Sequence, residues 1–271
     1  MGITRISSVK VIEQQYRTGE EPVLVMCSDL NAYVCKYMRS SAAAYKLVCE
    51  LIGVEMAKAW QLNTPDVAFV QIKPEHWVNK QVQHSITAPS LGSKHMVGVV
   101  DITPSTLDNV EKTEEALRQL IKIALFDFWI ANEDRNANNA NLMYDVSNGQ
   151  IISIDYGCVL NTATFDYPMS QLTSTDTILW SDLFSHLTSE TSQTCIENIV
   201  SELKKDYSLL INSSSRQTKL IIEEMPKEWN VPVIIVKDKM QQLFDEKWIT
   251  GVWANFTECL NENLGHELFK V

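Results

Sequence analysis

The stretch that most constrains this chain lies between residues 111 and 157. Leu117, Leu120, Ile121, Ala124, Leu125, Phe128 and Trp129 recur at helical spacing and predict a helix from about Glu111 to Asn132. That helix runs into the polar stretch Asn132-Glu133-Asp134-Arg135-Asn136-Ala137-Asn138-Asn139-Ala140-Asn141. Leu142 to Asp145 and Gln150 to Ile154 then read as a strand pair joined by the hairpin signal Ser147-Asn148-Gly149, and Asp155-Tyr156-Gly157 follows. The chain therefore sets an acid and an amide, Asp134 and Asn139, five residues apart after a buried helix. It sets a second acid, Asp155, after the outgoing strand of a hairpin.

The rest of the chain supplies strands ahead of this region and helices behind it. Val9 to Gln14, Val23 to Cys27 and Asn31 to Tyr37 are short β-rich runs, the last two joined across Ser28-Asp29-Leu30, and they predict an antiparallel meander. Ser41 would cap a helix reaching Trp60, and Pro65 opens a strand from Val67 to Ile72. Residues 73–105, with Pro74, Pro89, Gly92, Gly98 and Pro104, read as a connection. Beyond about Thr173 the pattern is helical, clearest at Cys195 to Ile211, Thr218 to Met225 and Val236 to Thr250.

Composition narrows the functional classes. The 271 residues carry 23 basic and 34 acidic side chains, a net charge of −11, and 45% are hydrophobic, a globular composition. Such acidity argues against a nucleic-acid backbone or an anionic membrane as the main partner, because both reward clustered lysine and arginine. The most apolar window, Ile121 to Ala131, is interrupted by Lys122 and Asp127, so no membrane span is expected. Six scattered cysteines without C-x-x-C spacing suggest reduced core residues and a cytoplasmic protein, and the five histidines lack metal-ligand spacing.

Phosphoryl transfer needs what the 134–155 region offers. One carboxylate orients the attacking hydroxyl, while an amide and a second carboxylate hold magnesium against the phosphates. Asn139 and Asp155 would supply the oxygen ligands that magnesium takes. In Ala32-Tyr33-Val34-Cys35-Lys36 the strand period of two puts Ala32, Val34 and Lys36 on one face, so Val34 could lie on an adenine ring while Lys36 reaches the phosphates. Glu50, set among Leu47, Val48, Leu51 and Ile52, needs a partner if it points inward, and Lys36 is the natural one; pairing with Lys46 at i,i+4 on an exposed face is the plainer alternative. Asp134 and Asp155, each alone, also read as ordinary turn residues.

Taken in order, these residues resemble the HipA-like kinases, atypical serine/threonine kinases of bacteria, and in particular their small single-domain branch. Tyr33-Val34-Cys35-Lys36 is similar to the family's nucleotide-lysine strand, and Glu50-Leu51-Ile52 with Leu62-Asn63-Thr64-Pro65 to its helix and strand entry. Phe126 to Leu142 is similar to its catalytic loop, Ile152 to Gly157 to its metal-binding motif, and Met225-Pro226-Lys227-Glu228-Trp229 to a C-terminal element. The resemblance implies an α+β, two-lobed protein-kinase-like fold. Residues 1–100 would form a small antiparallel β lobe with one helix that binds nucleotide, and residues 101–271 a larger, mainly helical catalytic lobe.

It further implies ATP and magnesium, with Asp134 as catalytic acid/base, Asn139 and Asp155 as metal ligands, Lys36 as the phosphate lysine and Glu50 as its tether. Asn141 rivals Asn139 because it directly precedes Leu142; the five-residue offset favours Asn139. Leu91 to His95 would lead into a hinge with adenine contacts near Val97 to Asp101. The phosphate loop, Thr18-Gly19-Glu20-Glu21-Pro22, departs from the ordinary pattern: Gly19 is its one glycine, and two acids sit where an anion should be cradled. Glu20 and Glu21 would have to point away or share a metal, and Thr18 is the hydroxyl nearest to the serine that the family phosphorylates in this loop. The expected activity is transfer of the γ-phosphate of ATP to serine or threonine of a protein, including the chain itself, with a small antitoxin or regulatory protein as a further partner. The alternatives are a non-catalytic nucleotide-binding module acting through such a partner, and a lipid or small-molecule kinase.

Overall fold

Alternation organises the first half of the chain. In a computed structural model describing residues 2–17, 19–77 and 87–265, strands β3 (Val23–Met26) and β4 (Ala32–Lys36) bury Val23, Val25, Tyr33 and Cys35. Leu24, Met26, Ala32, Val34 and Lys36 line the other, half-open face. The turn between them is fixed by Asp29, whose carboxylate accepts the Asn31 N–H at 3.1 Å and the Tyr33 hydroxyl at 2.8 Å.

Four further strands complete a six-stranded sheet of order β1-β5-β6-β4-β3-β2: β1 (Thr4–Ser7), β2 (Gln14–Gln15), β5 (Val67–Gln71) and β6 (Ser90–Lys94). All pairs are antiparallel except β1 with β5, which is parallel. The first strand is therefore earlier than the run at Val9 to Gln14 suggests. There Val9 and Val11 are exposed and only Ile12 reaches the apolar layer on the sheet's outer face, beside Val25, Tyr37, Val70 and Trp77.

The second departure is β6, inside the stretch read as connection. Ser90-Leu91-Gly92-Ser93-Lys94 has weak β-propensity, yet its backbone pairs on both sides, with β4 and β5, and tertiary pairing overrides propensity. Gly92 permits the close approach: a Cβ there would lie 2.8 Å from Val70 and 3.0 Å from Cys35.

Helix α1 (Ser41–Ala59) begins one residue later than its cap, which is Ser40 rather than Ser41: the Ser40 hydroxyl accepts the Ala43 N–H at 3.2 Å. From Leu47 to Ala57 the helix is buried on all sides, Glu50 and Glu55 included, because the sheet covers one side and the helical half the other. Beyond β6 the chain leaves the first sheet. Strand β7 (Val99–Asp101) joins the hairpin β8 (Leu142–Asp145) and β9 (Gln150–Ser153) in a three-stranded sheet.

Helix α2 (Glu114–Ile130), capped by Thr113, spans the core of the second half, where Trp129 stacks on Trp60 of α1 at 5.2 Å between ring centres. A one-turn α3 (Val159–Ala163) and α4 (Asp182–Thr188) precede the long α5 (Gln193–Glu224). Two helices were expected where α5 runs unbroken for 32 residues. Its polar middle turns its serine hydroxyls back on the helix's own carbonyls and stays helical through tertiary packing, with Leu210, Ile211 and Ser214 buried and Ser213 also donating to Ala59 O of α1 at 3.0 Å. The expected helix at 236–250 instead divides into α6 (Val233–Gln242) and α7 (Glu246–Leu264), and the Leu243 carbonyl at the break accepts the Trp129 indole N–H at 2.9 Å. The molecule is thus a β-sheet half followed by a helical half, and no helix among the described residues is long and apolar enough to cross a membrane.

Candidate active site

The strand period that points Lys36 out of the sheet delivers it between two distant acids. Its Nζ donates at 2.7 Å to Glu50 Oε2 on α1 and at 2.7 Å to Asp155 Oδ1 after β9. The plainer pairing of Glu50 with Lys46 is absent: Lys46 lies 3.2 Å from Glu20 Oε1, and Glu20 Oε2 lies 3.3 Å from Lys36. Glu20 therefore points into the cleft. Glu21, next to it, points out to Arg39 and to the Gln15 amide at 3.1 Å.

Electrostatics follow from this packing. Burial alone pushes the Lys36 ammonium down, but Glu50, Asp155 and Glu20 outweigh it and hold it well above the usual lysine range. Burial acts upward on the Asp155 carboxyl too, yet Lys36, the Gly157 N–H and Arg135 bring it below its ordinary value. Glu50 is the most deeply enclosed, and burial pushes it up against the pull of Lys36. Its Oε2 also accepts the Tyr156 N–H at 3.0 Å, so one carboxylate ties α1 to both β4 and the second acidic motif. Gly53 on α1 makes the tie close, for a Cβ there would lie only 2.5 Å from Cγ of Tyr156.

The catalytic-loop candidates sit on a sealed base. Helix α2 ends at Ala131 in the left-handed region (φ 53°, ψ 58°), turning the chain back so that Arg135 ion-pairs with the buried Asp127. Arg135 also donates to Ile154 O at 2.8 Å and lies over the Tyr156 ring at 4.9 Å, while Asn132 donates to Asp127 at 2.9 Å. Asp134, half-buried between these neighbours, presents Oδ2 to the Asn141 amide at 3.1 Å. Asn139 lies elsewhere: its backbone exchanges two hydrogen bonds with Asn136 at 3.0 and 3.2 Å across a tight turn, and the residue is exposed. Burial, with Asp134 adding to it, pushes the nearby Cys158 thiol up to about 11, which keeps it out of nucleophilic chemistry.

Two further residues carry no sequence signal. In α3, Leu160, Asn161 and Thr162 all have left-handed backbone, with φ of 58°, 54° and 56°, at a cost of about 1–2 kcal/mol per non-glycine residue. Glu133 holds that turn, accepting from Asn161 Nδ2 and Thr162 Oγ1 at 2.7 Å each. Lys239, buried on α6, donates to Thr164 O at 2.8 Å and Tyr167 O at 2.6 Å, and burial lowers its ammonium below the usual range. Glu133 lies within the Phe126 to Leu142 stretch and Lys239 outside any motif, but neither role is written in the pattern, because each acts on backbone or polar partners distant in sequence.

Val34 lies on the half-open face of β4, opposite Leu24 and Ser93. Val97, near the expected adenine contacts, is 90% exposed. Gly19 is exposed at the loop tip, and Thr18 lies outside the described residues. A pocket of about 540 Å³ opens below, lined by Asp101, Asn139, Asn141, Leu142, Ile154 and Asp182 among others. No group of three or more His, Cys, Asp or Glu able to hold a metal occurs among the described residues. An Asp–Asn pair still suits magnesium, which takes few protein oxygens when phosphates complete its shell. Asp155, with 40% of its side chain exposed and its backbone turned at φ 58°, presents such an oxygen.

A sheet half with a lysine clasped between a helix glutamate and an aspartate before a Tyr-Gly pair, followed by a helical half carrying an acid-and-amide loop, is a kinase-type fold. The family model described as HipA-like kinase matches residues 9–254, and the chain belongs to that family. Among solved structures it is similar to the Helicobacter pylori proinflammatory kinase CtkA, at 14% identity and a TM-score of 0.56, over 94% of this chain and 99% of that one. The FAT and kinase domain of CtTel1 also matches, at 11% identity and a TM-score of 0.33 over 95% of this chain and 23% of that one, too slight a likeness to bear on the fold. A search of curated proteins finds no match.

Proposed function

We propose that this HipA-like kinase transfers the γ-phosphate of ATP to a serine or threonine hydroxyl of a protein, itself included. The observation that carries the reading is the Lys36 clasp, which joins β4, α1 and the segment after β9 through two contacts of 2.7 Å. Lys36 binds phosphate oxygens; Glu50 fixes its position. Asp134 accepts the proton of the substrate hydroxyl as that oxygen bonds to the γ-phosphorus and the bond to the bridging oxygen breaks, releasing ADP. Asp155 and Asn141 are the residues that would hold magnesium, which supplies charge neutralisation at the phosphates. Asn141 is preferred to Asn139 because its side chain meets Asp134, whereas Asn139 is exposed at a turn. Val34 packs on adenine and Gly19 lets the loop over the phosphates move. The division into a nucleotide lobe and a catalytic lobe near residue 100 is supported by the change of sheet between Lys94 and Val99.

The test is incubation with magnesium and γ-labelled ATP, in the presence of generic protein and lipid acceptors, beside Asp134→Ala and Asp155→Ala variants whose folding is checked by thermal melts. Label transfer to protein that disappears in both variants is the expected result. Binding of ATP without transfer to any acceptor would favour the second reading, a nucleotide-binding module acting through a partner such as a small antitoxin, for which Glu20 beside Lys36 is the supporting observation.

A further inference from the structure

The phosphate loop of this chain places an acid where the reaction needs an anion-binding surface, and the geometry around that acid is specific. Glu20 divides its carboxylate between two ammonium groups, with Oε2 3.3 Å from Lys36 and Oε1 3.2 Å from Lys46. Three carboxylates converge on one point beside Gly157, since a Cβ on that residue would lie 3.5 Å from Glu20, 3.6 Å from Asp155 and 3.6 Å from Glu50. Lys46 stands one helical turn before Glu50 on α1 and therefore faces the same cleft. The loop is anchored independently of Glu20's side chain: Arg39 donates to the Glu20 carbonyl at 3.3 Å and pairs with the Glu21 carboxylate. Glu20 can swing away on its own side-chain torsions without the loop unfolding.

The charge count gives this arrangement a direction. Around Lys36 and Lys46 stand Glu20, Glu50 and Asp155, three carboxylates against two ammonium groups, an excess of one negative charge before any ligand arrives. A polyphosphate entering that site meets repulsion from Glu20 and finds both lysines engaged. With Glu20 withdrawn the four remaining charges balance: Lys46 loses its carboxylate partner, and Lys36, still held by Glu50 and Asp155, has one side open to phosphate oxygens.

We infer that Glu20 occupies the phosphate subsite as an internal competitor of nucleotide, and that Lys46 is a second phosphate-binding cation, beside Lys36, released when Glu20 leaves. This rests on the nucleotide-binding reading given above and adds to it a residue that opposes binding and a residue that promotes it. Lys46 supplies from the helix the positive charge that a glycine-rich loop would otherwise supply through backbone N–H groups.

Calorimetric titration of the full chain with ATP, adenosine and inorganic tripolyphosphate tests it. Glu20→Gln is expected to tighten ATP and tripolyphosphate about tenfold and to leave adenosine unchanged. Lys46→Ala is expected to weaken both polyphosphates about tenfold, again without effect on adenosine. The same loss in a Glu20→Gln background would show that it reflects a missing cation and not a freed Glu20. Thermal melts check folding, with Lys46→Gln replacing the alanine variant if that one is unstable. Wild-type ATP binding that Glu20→Gln leaves unchanged or weakens, or that Lys46→Ala leaves unchanged, overturns the inference and leaves the kinase reading standing. If neither wild type nor Glu20→Gln binds ATP or adenosine, the nucleotide reading fails and the inference fails with it.

Discussion

Two charge clusters flank Tyr156, and they differ in what they can exchange. On one side Asp127 and Arg135 are sealed, with 1% and 0% of their side chains exposed. On the other, Lys36, Glu20 and Asp155 are 16%, 30% and 40% exposed, and only Glu50 is enclosed. The two terminal nitrogens of Arg135 donate to Asp127 and the Ile154 carbonyl, and Asp127 holds its guanidinium above the ordinary range against the effect of burial. Such a pair fixes the loop after α2 to the residue that precedes Asp155. The open cluster has neighbours of the same chemical kind but is reached by solvent on one side, which is what the proposed exchange of a carboxylate for a phosphate requires. Burial, more than charge, separates the sealed ion pair from the open one.

Breaking the sealed pair has the largest expected effect. Arg135→Met leaves Asp127 as an unpaired buried charge and should cost about 3–5 kcal/mol in urea unfolding. A double variant with Asp127→Leu should recover much of that stability, since two apolar groups leave no orphan charge; failure to recover would mean that the Ile154 contact dominates. Next is Gly53→Ala, which drives a methyl into Tyr156 between the two clusters. It should cost about 1–3 kcal/mol by the same measurement.

For the open cluster the main expected effect is on ligand rather than on fold. Lys36→Ala should weaken ATP binding at least about tenfold by calorimetry while the thermal transition stays cooperative; undiminished affinity would break the assignment. Acid should act on this cluster as well. Lys36 holds the Asp155 carboxyl below its ordinary value against the effect of burial, so its stabilisation is complete above the ordinary carboxylate range and is lost as pH falls through the lower folded value. Melting temperatures followed from pH 5 to about 2 should fall less steeply in Asp155→Asn than in wild type. The smallest effect belongs to the exposed Arg39–Glu21 pair: Arg39→Ala should change unfolding free energy by less than about 1 kcal/mol.

Legibility along the chain follows the range of the interactions. Lys36 and Val34 were readable because a strand's period of two is local, and Glu50 because a charge amid apolar helix positions demands a partner. Strand β6 was hidden: Ser90 to Lys94 has one large apolar residue, and its strand character comes from β4 and β5 on either side. Spacing favours Asn139 over Asn141, but the tight Asn136–Asn139 turn leaves Asn139 exposed while Asn141 meets Asp134, and neither contact is carried by spacing. The chain's odd pair of acids at 20 and 21 was visible, but not that one turns in and the other out; that depends on Lys46 and Arg39 arriving from other elements.

By itself the sequence determined the order of sheet and helices, the faces of the strands and the identity of the groups that carry charge, since propensity, periodicity and residue chemistry act over a few positions. Tertiary structure alone decided which of those charges are shut away and which stay exchangeable. Exposure is set by elements more than a hundred residues apart closing on the same few ångströms, as Lys36 and Asp155 do.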